Sequence, residues 1–244
     1  MPAEPTVEQF LAEFRLLVPE QSRALVERNA LVRQDGGDDI RAGARPGQVF
    51  ALAKRFIDLP PTEIEKLLDS PVHDLRMGAL SVMGKQAARK TTPDSRRKEL
   101  YELYLRRTDR INDWDLVDLS AHYVVGGYLV DRPRDVLYGL ARSDDWWERR
   151  IALFATLAFV RRGDTDDTFR IAEILVHDPE HFVNTVVGTM LREAGKVDQP
   201  RLIAFLDRYA ATMPRIALRF SIEKMDPAQR KDYLGRAKQQ KAAG

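Results

Sequence analysis

The chain has 244 residues, of which 44% are hydrophobic and 31% are charged, a composition that supports a folded core. Its formal net charge of +2 neither favours nor excludes nucleic acid as a partner. Because the chain has no cysteine, disulfides and thiolate metal sites are excluded, and we expect a cytoplasmic protein.

Membrane insertion and metal catalysis are also disfavoured. No apolar run approaches the roughly 20 residues that a membrane-spanning helix needs, and the first residues lack the pattern of a signal peptide. The four histidines show no spacing typical of a metal site. We therefore expect no membrane, no metal and no cofactor.

Apolar residues recur with a period near 3.6 along the whole chain, which predicts helices and almost no strand. Thr6 and Gln9 have the spacing of a capping box, and Asp226 precedes a proline suited to the first turn of a last helix. Loops are expected at 33–47 and near 126–127. Shorter helices are expected at 61–69, 93–107, 133–142, 165–176 and 199–211.

A residue suited to cap a helix recurs at spacings of 42, 31, 35 and 34 residues: Ser70, Asn112, Ser143, Asp178 and Thr212. Nine residues beyond each cap stands a side chain of modest size that lets helices approach closely: Ala79, Ala121, Ala152, Val187 and Ser221. Units of this length are typical of stacked helical repeats.

We predict an all-α fold, a curved α-solenoid of about twelve to fourteen helices with one set of helices lining a concave face. It forms one domain over 1–244, in which N-terminal helices over 1–45 fit the pattern least and 237–244 form a disordered tail. An irregular helical bundle is the alternative.

One predicted helix start combines an indole with a carboxylate. Trp114 and Asp118 are four residues apart, so they share one face of the helix. Leu116, Leu119 and Tyr123 point roughly the other way and are expected to form the buried stripe. The exposed face could therefore hold a cationic group.

Basic residues are concentrated in a few stretches. Such clusters can neutralise phosphates, although for any single cluster a solvated helix face is the more ordinary explanation. The clusters are Lys85 to Lys98, the pairs Arg149-Arg150 and Arg161-Arg162, and a tail that contains Arg230, Lys231, Arg236, Lys238 and Lys241.

Four strings in order along the chain identify a family resemblance: RINDWDLVDLSA (110–121), WWERRIALFA (146–155), VVGTMLREAGK (186–196) and MPRIALRFSIEK (213–224). Together with GQVFALAK (47–54), they resemble the DNA alkylation repair glycosylases of the AlkD type. The resemblance implies HEAT-like repeats wrapped around double-stranded DNA. It also implies excision of cationic N3- and N7-alkylated purines without flipping the base, bulky adducts included for some members.

The resemblance implies roles for particular residues. Trp114 is similar to a tryptophan that packs against the deoxyribose of the damaged nucleotide, and Asp118 to the catalytic aspartate. Arg150 is similar to an arginine that holds the DNA backbone, and we expect Arg149 and Arg192 to contact DNA as well.

Thr189 departs from the family pattern, which has a second tryptophan directly after the residue matched by Gly188. We expect Thr189 to lie at the DNA, and its small side chain to leave one wall of the site missing. The loss could weaken activity, shift it toward adducts that need space, or be compensated by Trp146 or Trp147.

The chemistry fits these residue types. A purine alkylated at N3 or N7 is already positively charged, so it leaves without a general acid, and the sugar becomes oxocarbenium-like as it does. The Asp118 carboxylate can stabilise that charge and orient a water, and the face of Trp114 can add about 0.5–2 kcal/mol. Because no lysine is required, we expect a monofunctional glycosylase that acts as a monomer on nucleoid DNA.

Structural roles remain open for the same residues. Trp114 could seal a repeat junction in the core, and Asp118 could pair with an arginine of a neighbouring repeat, for which Arg150 is a candidate. At the level of function, the alternatives are a repeat protein that binds damaged or branched DNA without cleaving it, and a scaffold for other proteins.

Overall fold

A computed structural model describes residues 4–31 and 39–243, with the backbone alone for 237–243. The chain, for which the sequence predicts one domain, divides into two compact units, residues 1–128 and 129–244. Within the described ranges, the one sign of strand pairing is an isolated bridge between Ile40 and Val72. The predicted all-α class is therefore confirmed.

The first unit consists of short helices, among which the fifth and sixth are the longest. Its helices are α1 (Val7–Phe14), α2 (Glu20–Asn29), α3 (Pro46–Arg55), α4 (Pro61–Leu68), α5 (His73–Ala88), α6 (Asp94–Arg106) and α7 (Trp114–Ala121). A 3-10 turn (Thr108–Arg110) precedes α7, and a π-helix (His122–Gly126) follows it and leads into α8 (Gly127–Leu129) at the unit boundary.

The second unit is also built of helices joined by short connections. Its helices are α9 (Asp135–Leu140), α10 (Trp146–Ala155), α11 (Leu157–Val160), α12 (Asp166–Leu175), α13 (His181–Gly195), α14 (Gln199–Tyr209), α15 (Arg215–Ser221) and α16 (Pro227–Ala243). Helix α16 includes 237–243, where the sequence predicts a disordered tail.

The predicted helices agree closely with the observed ones. The five shorter helices expected from periodicity correspond to α4, α6, α9, α12 and α14, and the capping box of Thr6 and Gln9 forms. The described residues form sixteen α-helical segments, and fourteen remain when the three-residue α8 and four-residue α11 are set aside. The expectation of about twelve to fourteen helices therefore holds.

Two loop predictions have different outcomes. The loop expected near 126–127 is wrong, because Gly126 ends the π-helix and Gly127 begins α8. The expected loop at 33–47 lies in part outside the described residues. Its described end holds an extended segment and then α3, which starts at Pro46 because proline fits the first turn of a helix.

The predicted helix caps lie one or two residues too early, for a common physical reason. Ser70, Ser143 and Asp178 each accept a hydrogen bond from the backbone N–H two residues later, at 2.9–3.1 Å. They close a turn that leads into the helix instead of capping its first turn. Thr212 cannot do the same, since Pro214 has no N–H.

The small residues nine positions beyond these turns are buried as predicted: Ala79, Ala121, Ala152, Val187 and Ser221. They lie on helices that pack directly on one another within each unit: α5 on α7 in the first, and α13 on α10 and α15 in the second. A small side chain at each contact lets the helix backbones approach closely, as expected for a helical-repeat protein.

Helices α13 and α15 approach each other closely at Gly188. A Cβ atom there would lie 2.4 Å from the Ala217 carbonyl oxygen and 2.5 Å from the Phe220 Cβ. Both neighbours belong to α15, and one is backbone, so they cannot move aside without shifting the helix.

We therefore expect Gly188→Ala to lower the free energy of unfolding by about 2 kcal/mol or more, because α13 and α15 are forced apart. Gly139→Ala is the matched control, since a Cβ at Gly139 of α9 meets nothing within 4 Å. The control should be neutral or stabilising by about 0.5–1 kcal/mol. Urea unfolding measures both, and equal effects would contradict the packing described.

Candidate functional site

Helix α7 places the predicted indole in solvent. Asp113 caps the helix, and its carboxylate accepts a hydrogen bond from the Trp114 N–H at 2.7 Å. Leu116 and Val117 are fully buried, which turns the opposite side of α7 outward. Trp114 is consequently 50% exposed, unlike a tryptophan that seals a core.

Asp118 lies one turn beyond Trp114 and is partly exposed. Beneath it is the fully buried Tyr104, which α6 contributes. Burial raises the pKa of the Tyr104 phenol well above its usual range, and the negative charge of Asp118 raises it further. The phenol therefore stays neutral, and its oxygen accepts a hydrogen bond from Ser120 at 3.1 Å.

The predicted buried stripe of α7 holds at Leu116 but not at Leu119 or Tyr123. Leu119 is partly exposed, and Tyr123 is 39% exposed. The reason at Tyr123 is the π-helix that begins at His122, because its wider turn rotates the following residues away from the direction that a 3.6-residue period predicts. The exposed Tyr123 ring packs against His122, with ring centroids 3.9 Å apart.

Arg150 lies deep between α10 and α13 in the second unit. Its side chain donates hydrogen bonds to the Phe182 carbonyl at 2.5 Å and to the Thr185 hydroxyl at 3.1 Å. Only 5% of the residue is exposed. The guanidinium therefore fastens α10 to the first turn of α13.

Thr189 lies one turn beyond Thr185 on α13 and lines a cavity of about 370 Å³. Phe154, one turn beyond Arg150 on α10, lines the same cavity. We call the seam between α10 and α13, from the Arg150 contacts to the cavity at Thr189, the α10–α13 groove. The rest of the cavity lining combines apolar with charged side chains: Leu157, Val160, Arg161, Met190, Glu193, Lys196 and Val197.

The two other predicted DNA-binding arginines form ion pairs within the second unit. Arg149 contacts Asp178 at 2.6 Å and also donates to the carbonyls of Ser143 and Asp144. Arg192 pairs with Glu223 and lies 3.3 Å from Glu193. A DNA phosphate would have to share or displace these acids.

An aromatic cluster occupies the start of the same groove. The rings of Trp146 and Trp147 stack with centroids 3.9 Å apart, and each lies within 5.5 Å of the Phe182 ring. Phe182 and Thr189 are seven residues apart on α13, which places them about 10 Å apart on one face. Compensation for Thr189 by either tryptophan stays a prediction.

The predicted residues thus fall into two groups, each described within its own unit. Helix α7 brings Trp114 and Asp118 together on one face of the first unit. The α10–α13 groove brings Arg150 near Thr189 in the second. Their meeting at one damaged nucleotide is a prediction of the family resemblance.

Sequence reasoning missed a buried charge cluster beside Trp114. The His73 ring, at the start of α5, is 1% exposed and contacts Asp115 through Nε2 at 2.9 Å. Its Nδ1 faces Asp39 at 3.5 Å and Asp113 at 3.9 Å. Arg76 pairs with Asp39, and Arg41 pairs with Asp113 at 2.5 Å. These residues are up to 76 positions apart in sequence, so no local spacing could reveal the cluster.

These contacts shift the titration of the cluster. Burial alone would lower the pKa of His73, but the hydrogen bond to Asp115 and the attraction of Asp39 raise it to about 9. Burial likewise opposes the charge of Asp39, yet His73 and Arg76 lower its pKa to about 2. At neutral pH the cluster therefore holds an imidazolium between carboxylates.

Donor atoms of His73, Asp113 and Asp115 lie within 4.8 Å of one another, close enough to hold a metal ion. The charges of the cluster fit a proton on His73 better than a metal ion. Asp39, Asp113 and Asp115 carry three negative charges, which Arg41, Arg76 and protonated His73 cancel. A divalent cation in place of the proton would leave a buried excess of positive charge.

Comparisons with known proteins identify the family. A model of the family described as DNA alkylation repair enzyme matches residues 36–225, so the chain belongs to this family. A solved structure of a predicted DNA alkylation repair enzyme from Enterococcus faecalis is similar in fold, with a TM-score of 0.59 at 14% identity. The alignment covers 93% of this chain and 100% of that one. No curated protein matches the sequence.

The described residues contain no helix with the length and hydropathy to cross a bilayer.

The His73 cluster predicts a loss of stability at alkaline pH. Because folding raises the pKa of His73 from 6.5 to about 9, its contribution is complete below pH 6.5 and is lost as pH rises through 9. We expect the free energy of unfolding to fall by on the order of 2 kcal/mol between pH 6.5 and 10. Denaturant titrations measure this fall, and His73→Gln should remove most of it. If the free energy of unfolding falls equally in His73→Gln and in the wild type, groups other than His73 cause the fall.

Proposed function

We propose that this member of the DNA alkylation repair family is a monofunctional DNA glycosylase. It hydrolyses the N-glycosidic bond of cationic N3- or N7-alkylated purines in duplex DNA, without flipping the base. The observation that carries the proposal is the half-exposed indole of Trp114 beside the accessible carboxylate of Asp118 on α7.

The chemistry follows from the charge of the lesion. As the glycosidic bond breaks, the electron pair goes to the alkylated base, which leaves neutral, and the positive charge moves to the sugar. The Asp118 carboxylate stabilises the cationic sugar and accepts a proton from the water that attacks C1′. The face of Trp114 packs on the deoxyribose and adds cation–π attraction. No general acid or lysine nucleophile is needed, so the DNA strand is left intact.

The second unit supports DNA binding in this proposal. Arg150, buried beneath the first turn of α13, supplies positive charge at the groove, and its contacts keep it in one orientation. Arg192 can turn from the partly exposed Glu223 to a phosphate, because an ion pair at the protein surface contributes little stability of its own. The pair of Arg149 with Asp178 is largely buried, so Arg149 contributes its charge while it keeps that partner. The protein then acts as a monomer on nucleoid DNA.

The cavity at Thr189 supports the view that an aromatic wall is missing. The space of about 370 Å³ beside Phe154 and Leu157 is large enough to hold an indole. A lost aromatic contact near a developing cation corresponds to about 1–2 kcal/mol, or roughly ten- to thirtyfold in rate. Thr189 also favours a second candidate function, in which the protein binds damaged DNA without cleaving it.

Asp118→Asn separates the two candidates. For the glycosylase we expect the rate of 7-methylguanine release, with protein in saturating excess over duplex DNA, to fall by on the order of a hundredfold or more. The affinity for duplex should change little. Asp58→Asn, which alters an exposed acid paired with Arg89, is the control and should retain full activity. Equal rates for Asp118→Asn and Asp58→Asn would contradict catalysis by Asp118 and leave the binding of damaged DNA as the function. If the affinity for duplex DNA does not fall with added salt, both DNA functions are contradicted and a scaffold for other proteins is favoured.

Thr189→Trp tests the missing wall. An indole at this position fills the cavity and restores an aromatic face, so release of small methylated bases should rise about tenfold. Thr189→Val keeps the shape without the aromatic face and should leave the rate within about twofold of the wild type. Single-turnover excision assays compare the three proteins. A rate for the tryptophan variant at or below that of wild type would mean that the site is built around threonine.

A further inference from the structure

Trp114 is flanked on both sides by acids of the His73 cluster. Asp113 caps α7 and pairs with Arg41, while Asp115 binds the Nε2 of His73. Since these two residues are the immediate neighbours of Trp114, the backbone that carries the indole is held from both sides. Asp118 lies one turn further on the same helix and moves with it.

Hydrogen bonds between the start of α5 and the segment before α3 hold His73 in place. Its backbone N–H donates to the Ile40 carbonyl at 2.8 Å. The neighbouring Asp74 carboxylate accepts from the backbone N–H groups of Ala42 and Ala44, at 2.8 and 3.1 Å. The ring therefore reaches α7 from a rigid position, and its contact with Asp115 ties the first turn of α7 to α5.

We infer that His73 is a positioning residue of the proposed site: its ring binds Asp115, lies beside Asp113, and so fixes how α7 presents Trp114 and Asp118 to a damaged nucleotide. The inference rests on the proposed function and extends it to a residue that touches no DNA.

The charges around the ring come from every segment packed against it. They are Asp39 and Arg41 before α3, Asp74 and Arg76 on α5, Arg110 before α7, and Asp113 and Asp115 at the start of α7. Asp39, Asp113 and Asp115 attract the imidazolium, and Arg41 opposes its charge. When the ring loses its proton, Asp39 and Asp113 keep their pairs with Arg76 and Arg41, but Asp115 loses the charge that it binds, and the hold on α7 weakens.

The first test compares His73→Gln, which removes the charge, with His73→Lys, which keeps a charge at this position. With protein in saturating excess over a 7-methylguanine duplex at pH 7, His73→Gln should release the base about tenfold more slowly or worse. The dissociation constant for undamaged duplex should change less than about twofold. His73→Lys should recover part of the lost rate. His177→Gln, which removes a histidine contact with Thr212 in the second unit, is the control and should match wild type.

The second test uses pH, to separate positioning from a general loss of stability. The ratio of the wild-type rate to that of His73→Gln cancels any effect of pH on the lesion. We expect this ratio to fall from about ten at pH 7 toward one as pH rises through 9, where His73 loses its proton. All rates are measured under conditions in which circular dichroism shows each variant folded.

A third readout needs no activity. The indole N–H resonance of Trp114, assigned with Trp114→Phe, should shift with a midpoint near pH 9 in wild type and stay fixed in His73→Gln. If wild type releases no base, the proposed function fails, and this titration still decides whether His73 positions Trp114.

Three results would overturn the inference: equal rates for His73→Gln and wild type at pH 7, a rate ratio that is independent of pH, or a Trp114 resonance that does not follow His73. A rise in melting temperature on adding Zn²⁺, lost in His73→Gln, would also overturn it, because the cluster would then be a metal site.

Discussion

The side chains that α7 buries determine which side chains it can offer to a ligand. Leu116, Val117, Ser120 and Ala121 lie against the rest of the first unit, so the turn that carries Trp114 and Asp118 faces outward. Burial of these apolar groups stabilises the arrangement by about 25 cal/mol per Å² removed from water. Exposure of a whole indole face runs against that driving force. The half-exposed indole can offer a ligand an apolar face beside the Asp118 carboxylate.

The two units supply different parts of the proposed chemistry. The first supplies the indole and the carboxylate on a helix whose start is held by a buried charge cluster. The second supplies buried Arg150 and the groove that leads to the cavity at Thr189. Rigid support of this kind suits a reaction in which the protein stabilises a developing cation, because groups that are already oriented need not reorganise as the charge forms.

Much of the helical framework could be predicted from the sequence, since it depends on local periodicity and on small residues at regular intervals. Ala152 and Val187 are buried where the repeat pattern places them. The direction of Tyr123 could not be predicted, because a π-helix adds a residue to one turn without a local sequence signal. The burial of Arg150 and the role of His73 depend on partners distant in sequence, which periodicity does not reveal.

The measurement that tests the central claim most directly is release of 7-methylguanine from duplex DNA by the wild-type protein, scored by alkaline cleavage of the abasic product. At protein concentrations that bind all of the duplex, we predict release well above the spontaneous rate and no strand breaks before alkali. Release at the spontaneous rate from fully bound DNA would contradict the claim that Trp114 and Asp118 form a catalytic pair.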